Sequence, residues 1–169
     1  MTSDAPLILT LALNEGAFAF FDEQRRRYFP PERNFIPAHL TLFHKLPAER
    51  AAAIVAALEG AAAQQAPISM RVTGLRSLGR GVAYTLASPE LASFRHALAT
   101  QWALWLAPQD RQKHQPHVTI QNKVDTKAAA ALLSELAASF RPFSVTGTGL
   151  DLWRYHGGPW EKVRRVPFG

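Results

Sequence analysis

His39-Leu40-Thr41-Leu42 and His117-Val118-Thr119-Ile120 follow one pattern: imidazole, aliphatic, hydroxyl, aliphatic. Alternation of this kind marks a half-buried β-strand, because successive side chains point to opposite faces of a sheet. Histidine and threonine then share one face in each copy, and the aliphatic pair fills a core behind them. Two such strands brought together line a cleft with two imidazoles and two hydroxyls.

The surroundings of the two copies repeat as well. Leu7 to Leu13 reads as a buried strand, and Asn14 as the cap of a helix from about Glu15 to Tyr28, ended by Pro30-Pro31. The first motif strand is expected over Ala38 to Leu46, and Pro47 opens an alanine-rich helix reaching about Gln65. Ile68 to Leu75 and Gly81 to Ala87 read as two strands joined by a glycine-containing turn. Ser88-Pro89-Glu90 starts a helix in which Leu91, Phe94, Leu98, Trp102 and Trp105 recur at helical spacing, a core face. Pro108 to Gln115 reads as a polar loop, followed by the second motif strand over Pro116 to Val124. Asp125 caps a helix to about Arg141, and strands follow near Phe143–Trp153 and Trp160–Val166. Each half thus reads strand, helix, motif strand, helix, strand. This order predicts an α+β fold, bilobal and pseudo-symmetric, with antiparallel sheet and outer helices around a central cleft. Residues 1–169 are expected to form a single bilobal domain with approximate halves 1–80 and 81–169.

Composition narrows the chemistry. The 169-residue chain contains no cysteine, which removes disulfides, thiolate nucleophiles and sulfur-ligated zinc. The apolar run Pro6–Leu13 is too short to span a membrane and lacks the flanks of a signal peptide, so a cytoplasmic protein with no membrane association is expected. A formal charge of +6 favours phosphate-bearing partners. His114 and His117 are three apart, so on a strand they face opposite ways, and no metal site or cofactor is expected. His44 reads as a structural residue on the core side of its strand. His96 lies in a helix, exposed or packed.

Imidazole serves as either base or acid near neutrality, with an unperturbed pKa of about 6.5. Hydroxyls two residues along the strand, roughly 6.6 Å away, can hold phosphate oxygens. That inventory suits metal-free cleavage of a phosphodiester. His39 and His117 are the expected catalytic pair, with Thr41 and Thr119 beside them. Candidate substrate-binding residues are Phe43, Lys45, Gln121, Lys123 and Tyr155. Phe43 either stacks a base or packs in the core. Lys45 and Lys123, each six residues beyond a histidine and roughly 20 Å along a strand, either meet flanking phosphates or are solvated. The stretch Trp153-Arg154-Tyr155-His156-Gly157-Gly158-Pro159-Trp160 is either a hairpin walling the cleft or a packed turn. Lys162, Arg164 and Arg165 form either an RNA-facing strip or an ordinary polar strand face.

The paired motifs resemble the signature of the two-histidine (2H) phosphoesterase superfamily. The stretch from Arg27 to Ala38 is similar to its 2′-5′ RNA ligase-like branch. The resemblance implies metal-independent hydrolysis of 2′,3′-cyclic phosphates on RNA ends or nucleotides, typically to 2′-phosphates, and in some members 2′-5′ RNA joining. It implies that His39 and His117 exchange protons and that Thr41 and Thr119 clamp the phosphate. Ligase-like members often carry arginine five residues after the second histidine; here that residue is Asn122. Lysine at 123 offers a point charge without the guanidinium fork. The alternative reading is an RNA-binding or regulatory module with a phosphate site that turns nothing over. A monomer with no obligate protein partner is expected, because the internal repeat already supplies a two-fold arrangement.

Overall fold

The computed structural model describes residues 4–169. Among them are seven strands: β1 Leu7–Leu13, β2 Leu40–Leu46, β3 Ile68–Ser77, β4 Val82–Ala87, β5 His117–Gln121, β6 Phe143–Tyr155 and β7 Trp160–Pro167. The helices are α1 Glu15–Tyr28, α2 Ala51–Ala63, α3 Pro89–Gln101, α4 Pro108–Arg111 and α5 Thr126–Ser139. All strand pairings are antiparallel. β6 is long enough to pair with β3 through Phe143–Gly147 and with β1 and β7 farther along. One lobe is therefore β2-β1-β6-β7 and the other β5-β4-β3 with the start of β6. Each lobe draws strands from both halves of the chain.

Alternation along β1 explains how one sheet serves a core and a cleft. Leu7, Leu9 and Leu11 are buried in the hydrophobic cluster with Leu40, Leu42, Leu150 and Leu152. Thr10 lies between them, paired with Thr41 on one side and Asp151 on the other, and so begins a polar row on the opposite face. The helices cover the leucine side. α1 presents Ala17, Phe21 and Arg25 at four-residue spacing and packs on β5. α5 lies on β3 and β4, and α2 on β6 and β7.

Local signals start two of the helices as expected, whereas α2 begins at Ala51, after a 3-10 turn over Ala48–Arg50 that follows Pro47. Ser88 accepts from the Leu91 N–H at 3.1 Å, and Asp125 from the Ala128 N–H at 2.7 Å. Asn14 behaves differently. Its side-chain oxygen accepts from Thr146 N–H at 2.9 Å and makes no cap bond to α1, tying the helix entrance to β6 instead. The expected loop after α3 contains the four-residue helix α4, started by Pro108.

β2 and β5 meet through a single pairing, Leu40 with Val118, and then diverge. The freed edge of β2 leaves backbone donors that need partners. Asp110, from α4, supplies them: its fully buried carboxylate accepts from His44 N–H at 2.8 Å and Lys45 N–H at 2.9 Å. The His44 imidazole Nδ1 adds a third contact at 3.1 Å. Burial alone would raise the Asp110 pKa, but these bonds outweigh it and hold the carboxyl below its usual range. Asp110→Ala removes the acceptor of two part-buried backbone donors and is expected to cost about 2 kcal/mol, read by urea denaturation. Asp110→Asn, which keeps an acceptor, should cost less; equal losses would mean the carboxylate's contacts do not set the penalty.

Candidate active site

The Leu40–Val118 pair fixes the relation between the two motifs. Antiparallel register about this pair sets His39 across from Thr119 and Thr41 across from His117. All four residues are half-buried, on the cleft side of strands whose aliphatic neighbours Leu40, Leu42, Val118 and Ile120 are fully buried. The four expected catalytic residues are thus brought together, as two histidine–threonine couples related by an approximate two-fold axis.

Each histidine is locked in the same way. His39 Nδ1 lies 2.9 Å from the Pro37 carbonyl, and His117 Nδ1 lies 2.9 Å from the Gln115 carbonyl. A carbonyl can only accept, so Nδ1 must carry the proton in both rings. That tautomer leaves Nε2 as the nitrogen with a free lone pair when the ring is neutral. Burial pushes the His39 pKa down to about 4; the bond to Pro37 opposes this, and the positive charges of Arg25 and His117 reinforce it. His117 is lowered by burial as well, partly countered by Gln115 and reinforced by Arg76.

The backbone behind the motifs is held by buried donors. Arg25 donates to the Thr119 carbonyl at 3.1 Å and to Asn34 Oδ1 at 2.7 Å. Arg95 donates to the Leu42 carbonyl at 2.8 Å, and His114 Nε2 to the Thr41 carbonyl at 2.9 Å. His114 is pushed down to about 4 by burial, with the Thr41 bond opposing and Arg95 adding to the shift. Its single donated bond needs only the neutral ring.

The other expected contacts divide. Phe43 is fully buried, edge-on to Trp102 at 5.2 Å with Arg95 over its ring at 4.4 Å, and so is not on the cleft wall. A bulge is responsible: two residues of β2, from Thr41 to Phe43, oppose one step of β1, from Thr10 to Leu9, which turns Phe43 inward. The same change of phase brings His44 outward, so its side chain is 39% exposed against Asp110, and not on the core side. Lys45 is exposed at the β2 edge. β5 ends at Gln121, so Lys123 leaves the motif strand: it adopts φ 66° in a turn where Asn122 Oδ1 accepts its N–H at 2.9 Å. Gln121 is buried, with its Oε1 unpaired among the described residues. Tyr155 is exposed near the hairpin tip, its hydroxyl donating to the Gly157 carbonyl at 3.0 Å.

The hairpin does wall the cleft. Trp160 lies 4.7 Å from the His39 ring, and Trp153 donates from Nε1 to Thr10 Oγ1 at 2.9 Å. Lys162 and Arg165 share with His39 a cavity of about 250 Å³ floored by Thr10 and Asp151, whereas Arg164 points away and pairs with Glu59 on α2. Arg76, on β3, was not singled out by sequence. Its Nη1 donates to Gln115 Oε1 at 3.1 Å, beside the carbonyl that orients His117. No local signal distinguishes Arg76 from other strand arginines; only the register of three strands brings it here. Among the described residues no three His, Asp or Glu side chains converge as metal ligands.

A family model described as the 2′-5′ RNA ligase superfamily matches residues 14–159. The chain belongs to that superfamily, the two-histidine phosphoesterases. The likeness extends to solved structures. Escherichia coli LigT complexed with 3′-AMP is 19% identical, with a TM-score of 0.65, covering 98% of this chain and 99% of that one. The protein TT0787 of Thermus thermophilus is 18% identical, with a TM-score of 0.64 over 96% and 97% of the two chains. The apo form of LigT gives 20% identity and a TM-score of 0.61 over 97% of each. These likenesses establish the α+β fold of antiparallel sheet with outer helices. No curated protein matches the sequence. Among the described residues no helix is long and apolar enough to cross a membrane.

The lowered histidines link the site to stability. His39 and His114 have folded values near 4, below about 6.5 for an unfolded histidine. Between these limits the unfolded chain binds more protons, so stability rises with pH through this window and is lost as pH falls from 6.5 toward 4. Urea midpoints measured from pH 7.5 to 4.5 should decline, and His39→Gln with His114→Gln should flatten the decline. An unchanged slope in the double variant would refute the assignment.

Proposed function

We propose that the protein is a metal-independent phosphodiesterase that opens 2′,3′-cyclic phosphates on RNA ends or nucleotides. The observation that carries this reading is the matched pair of histidines, each with Nδ1 held by a carbonyl and Nε2 free, across from a threonine. His39, which burial keeps neutral at pH 7, takes the base role. Its Nε2 removes a proton from water as the oxygen attacks phosphorus. The bond from phosphorus to one ribose oxygen breaks, and His117 Nε2–H gives that oxygen its proton. The products are a phosphomonoester and a free hydroxyl. Arrival of the anionic substrate favours the protonated form of His117 that this step requires. Thr41 and Thr119 donate hydroxyl bonds to the non-bridging oxygens, where charge grows in the transition state.

LigT was crystallised with 3′-AMP, a ribose phosphate. RNA joining uses the same proton transfers with a ribose hydroxyl in place of water. Hydrolysis is favoured because Asn122 closes its own turn at the position where the ligase-like arginine would stand. The family's nucleic-acid chemistry and the positive charge of the chain support an RNA end or nucleotide as partner.

Hydrolysis of nucleoside 2′,3′-cyclic phosphates should proceed undiminished in EDTA. His39→Ala and His117→Ala should each lower kcat by about 10³-fold or more, and Thr41→Ala or Thr119→Val by about 10- to 100-fold. The kcat–pH profile should be bell-shaped, its acid limb lost in variants lacking the base. Loss of activity in EDTA, or persistence in both histidine variants, would remove the proposal.

A further inference from the structure

The two lobes carry opposite charges at equivalent positions. On one side of the cleft the cross-strand row is Thr41, Thr10, Asp151 over β2, β1 and β6. On the other it is Thr119, Ala83, Arg76 over β5, β4 and β3. The Leu40–Val118 pairing relates the rows by the approximate two-fold, so Arg76 stands where the first lobe has Asp151.

Asp151 is already occupied. It is 4% exposed, accepts both arms of the Arg165 guanidinium at 2.7 Å, and has Lys162 at 3.6 Å. Arg76 instead faces a neutral amide oxygen, Gln115 Oε1, and among the described residues no carboxylate pairs with it. It borders a cavity of about 460 Å³ where Thr85, His114 and Gln115 supply polar groups and Leu86, Pro89 and Ala92 form an apolar wall. This cavity flanks the segment that leads into His117. Along β5 it extends away from the His39 side of the cleft, because Thr119, not Gln115, lies across from His39. The neighbouring Ala83, paired with Arg76 across the strands, is small and fully buried.

We propose that this cavity is a second anion subsite, where Arg76 binds a phosphate other than the one held between the histidines. The inference rests on the phosphodiesterase reading and narrows its substrate class to a cyclic phosphate whose nucleotide carries another phosphate. That group is either a 5′-phosphate or the preceding phosphodiester of an RNA end. A planar guanidinium with only an amide partner exchanges that bond for two charge-assisted ones when a phosphate arrives. There is a consequence for catalysis. Arg76 in the free protein disfavours protonation of His117. An anion on Arg76 cancels that effect and favours the proton His117 must donate. Arg76 is in this respect a positioning and charge-setting residue, while its direct role is in binding.

The test compares three substrates: a nucleoside 2′,3′-cyclic phosphate, the same compound with a 5′-phosphate, and a dinucleotide ending in the cyclic phosphate. The wild type should favour one or both of the latter by about 10- to 100-fold in kcat/KM, the range expected of one charged hydrogen-bonded contact. Arg76→Met should erase that preference, Arg76→Lys should retain part of it, and Gln115→Ala, which frees the guanidinium, should keep it. Preference for the dinucleotide alone assigns the subsite to a phosphodiester; preference for the 5′-phosphate assigns it to a monoester. A preference that survives in Arg76→Met overturns the proposal, as does turnover without any preference. Calorimetric binding of adenosine 3′-phosphate and adenosine 3′,5′-bisphosphate separates this from the parent reading. Arg76-dependent preference for the bisphosphate without turnover keeps the subsite and removes the phosphodiesterase.

Discussion

One hydrogen-bonded pairing, Leu40 with Val118, organises the molecule. It closes the sheet of one lobe onto that of the other at the point where the two motifs cross. Pairing along the full strands would press the lobes into a continuous sheet and fill the space above the histidines. Loss of the pairing would separate the couples. A short contact followed by divergence satisfies both demands, but it strands backbone groups on β2 and β5. Side chains from elsewhere take these up: Asp110 on the donors, and Arg25, Arg95 and His114 on the carbonyls of Thr119, Leu42 and Thr41. Burial lowers the Arg25 pKa to about 10 and Arg95 in the same direction, yet a guanidinium with a value near 10 is still charged at neutral pH. The cleft is built as much by these polar struts as by the leucine core beneath it.

The approximate symmetry of the backbone does not extend to the electrostatics. Both rings donate through Nδ1 to the carbonyl two residues earlier, so their free nitrogens are chemically equivalent. Their neighbours differ. His39 lies beside Trp160 and feels Arg25, while His117 feels Arg76. Acid–base catalysis needs one neutral and one protonated imidazole, and a symmetric frame with unlike surroundings separates the roles without altering the geometry of either ring.

Much of this was legible in the chain because it depends on local periodicity. The apolar run Leu7–Leu13, the Ser88-Pro89 and Asp125 starts, and the alternation in the two motif tetrapeptides are read correctly from neighbours within a few residues. What escaped depends on register. The bulge after Thr41 reverses the faces of Phe43 and His44, and nothing in Leu42-Phe43-His44 marks an inserted residue. Asn14 has the residue type and place of a helix cap but bonds Thr146, which is 132 positions away. Arg76 reaches the site through β3, β4 and β5 in succession, a relation set only when all three strands are aligned.

The closed ring of pairings through β1, β2, β5, β4, β3 and β6 leaves β7, among the described residues, paired to β6 alone. An open strand edge is a template for pairing with another chain, and natural sheets defend it with charge and proline. β7 carries Glu161, Lys162, Arg164 and Arg165 and ends in Pro167. Its cations serve the cleft and the α2 surface from either face, and together they make the exposed edge a poor seed for aggregation.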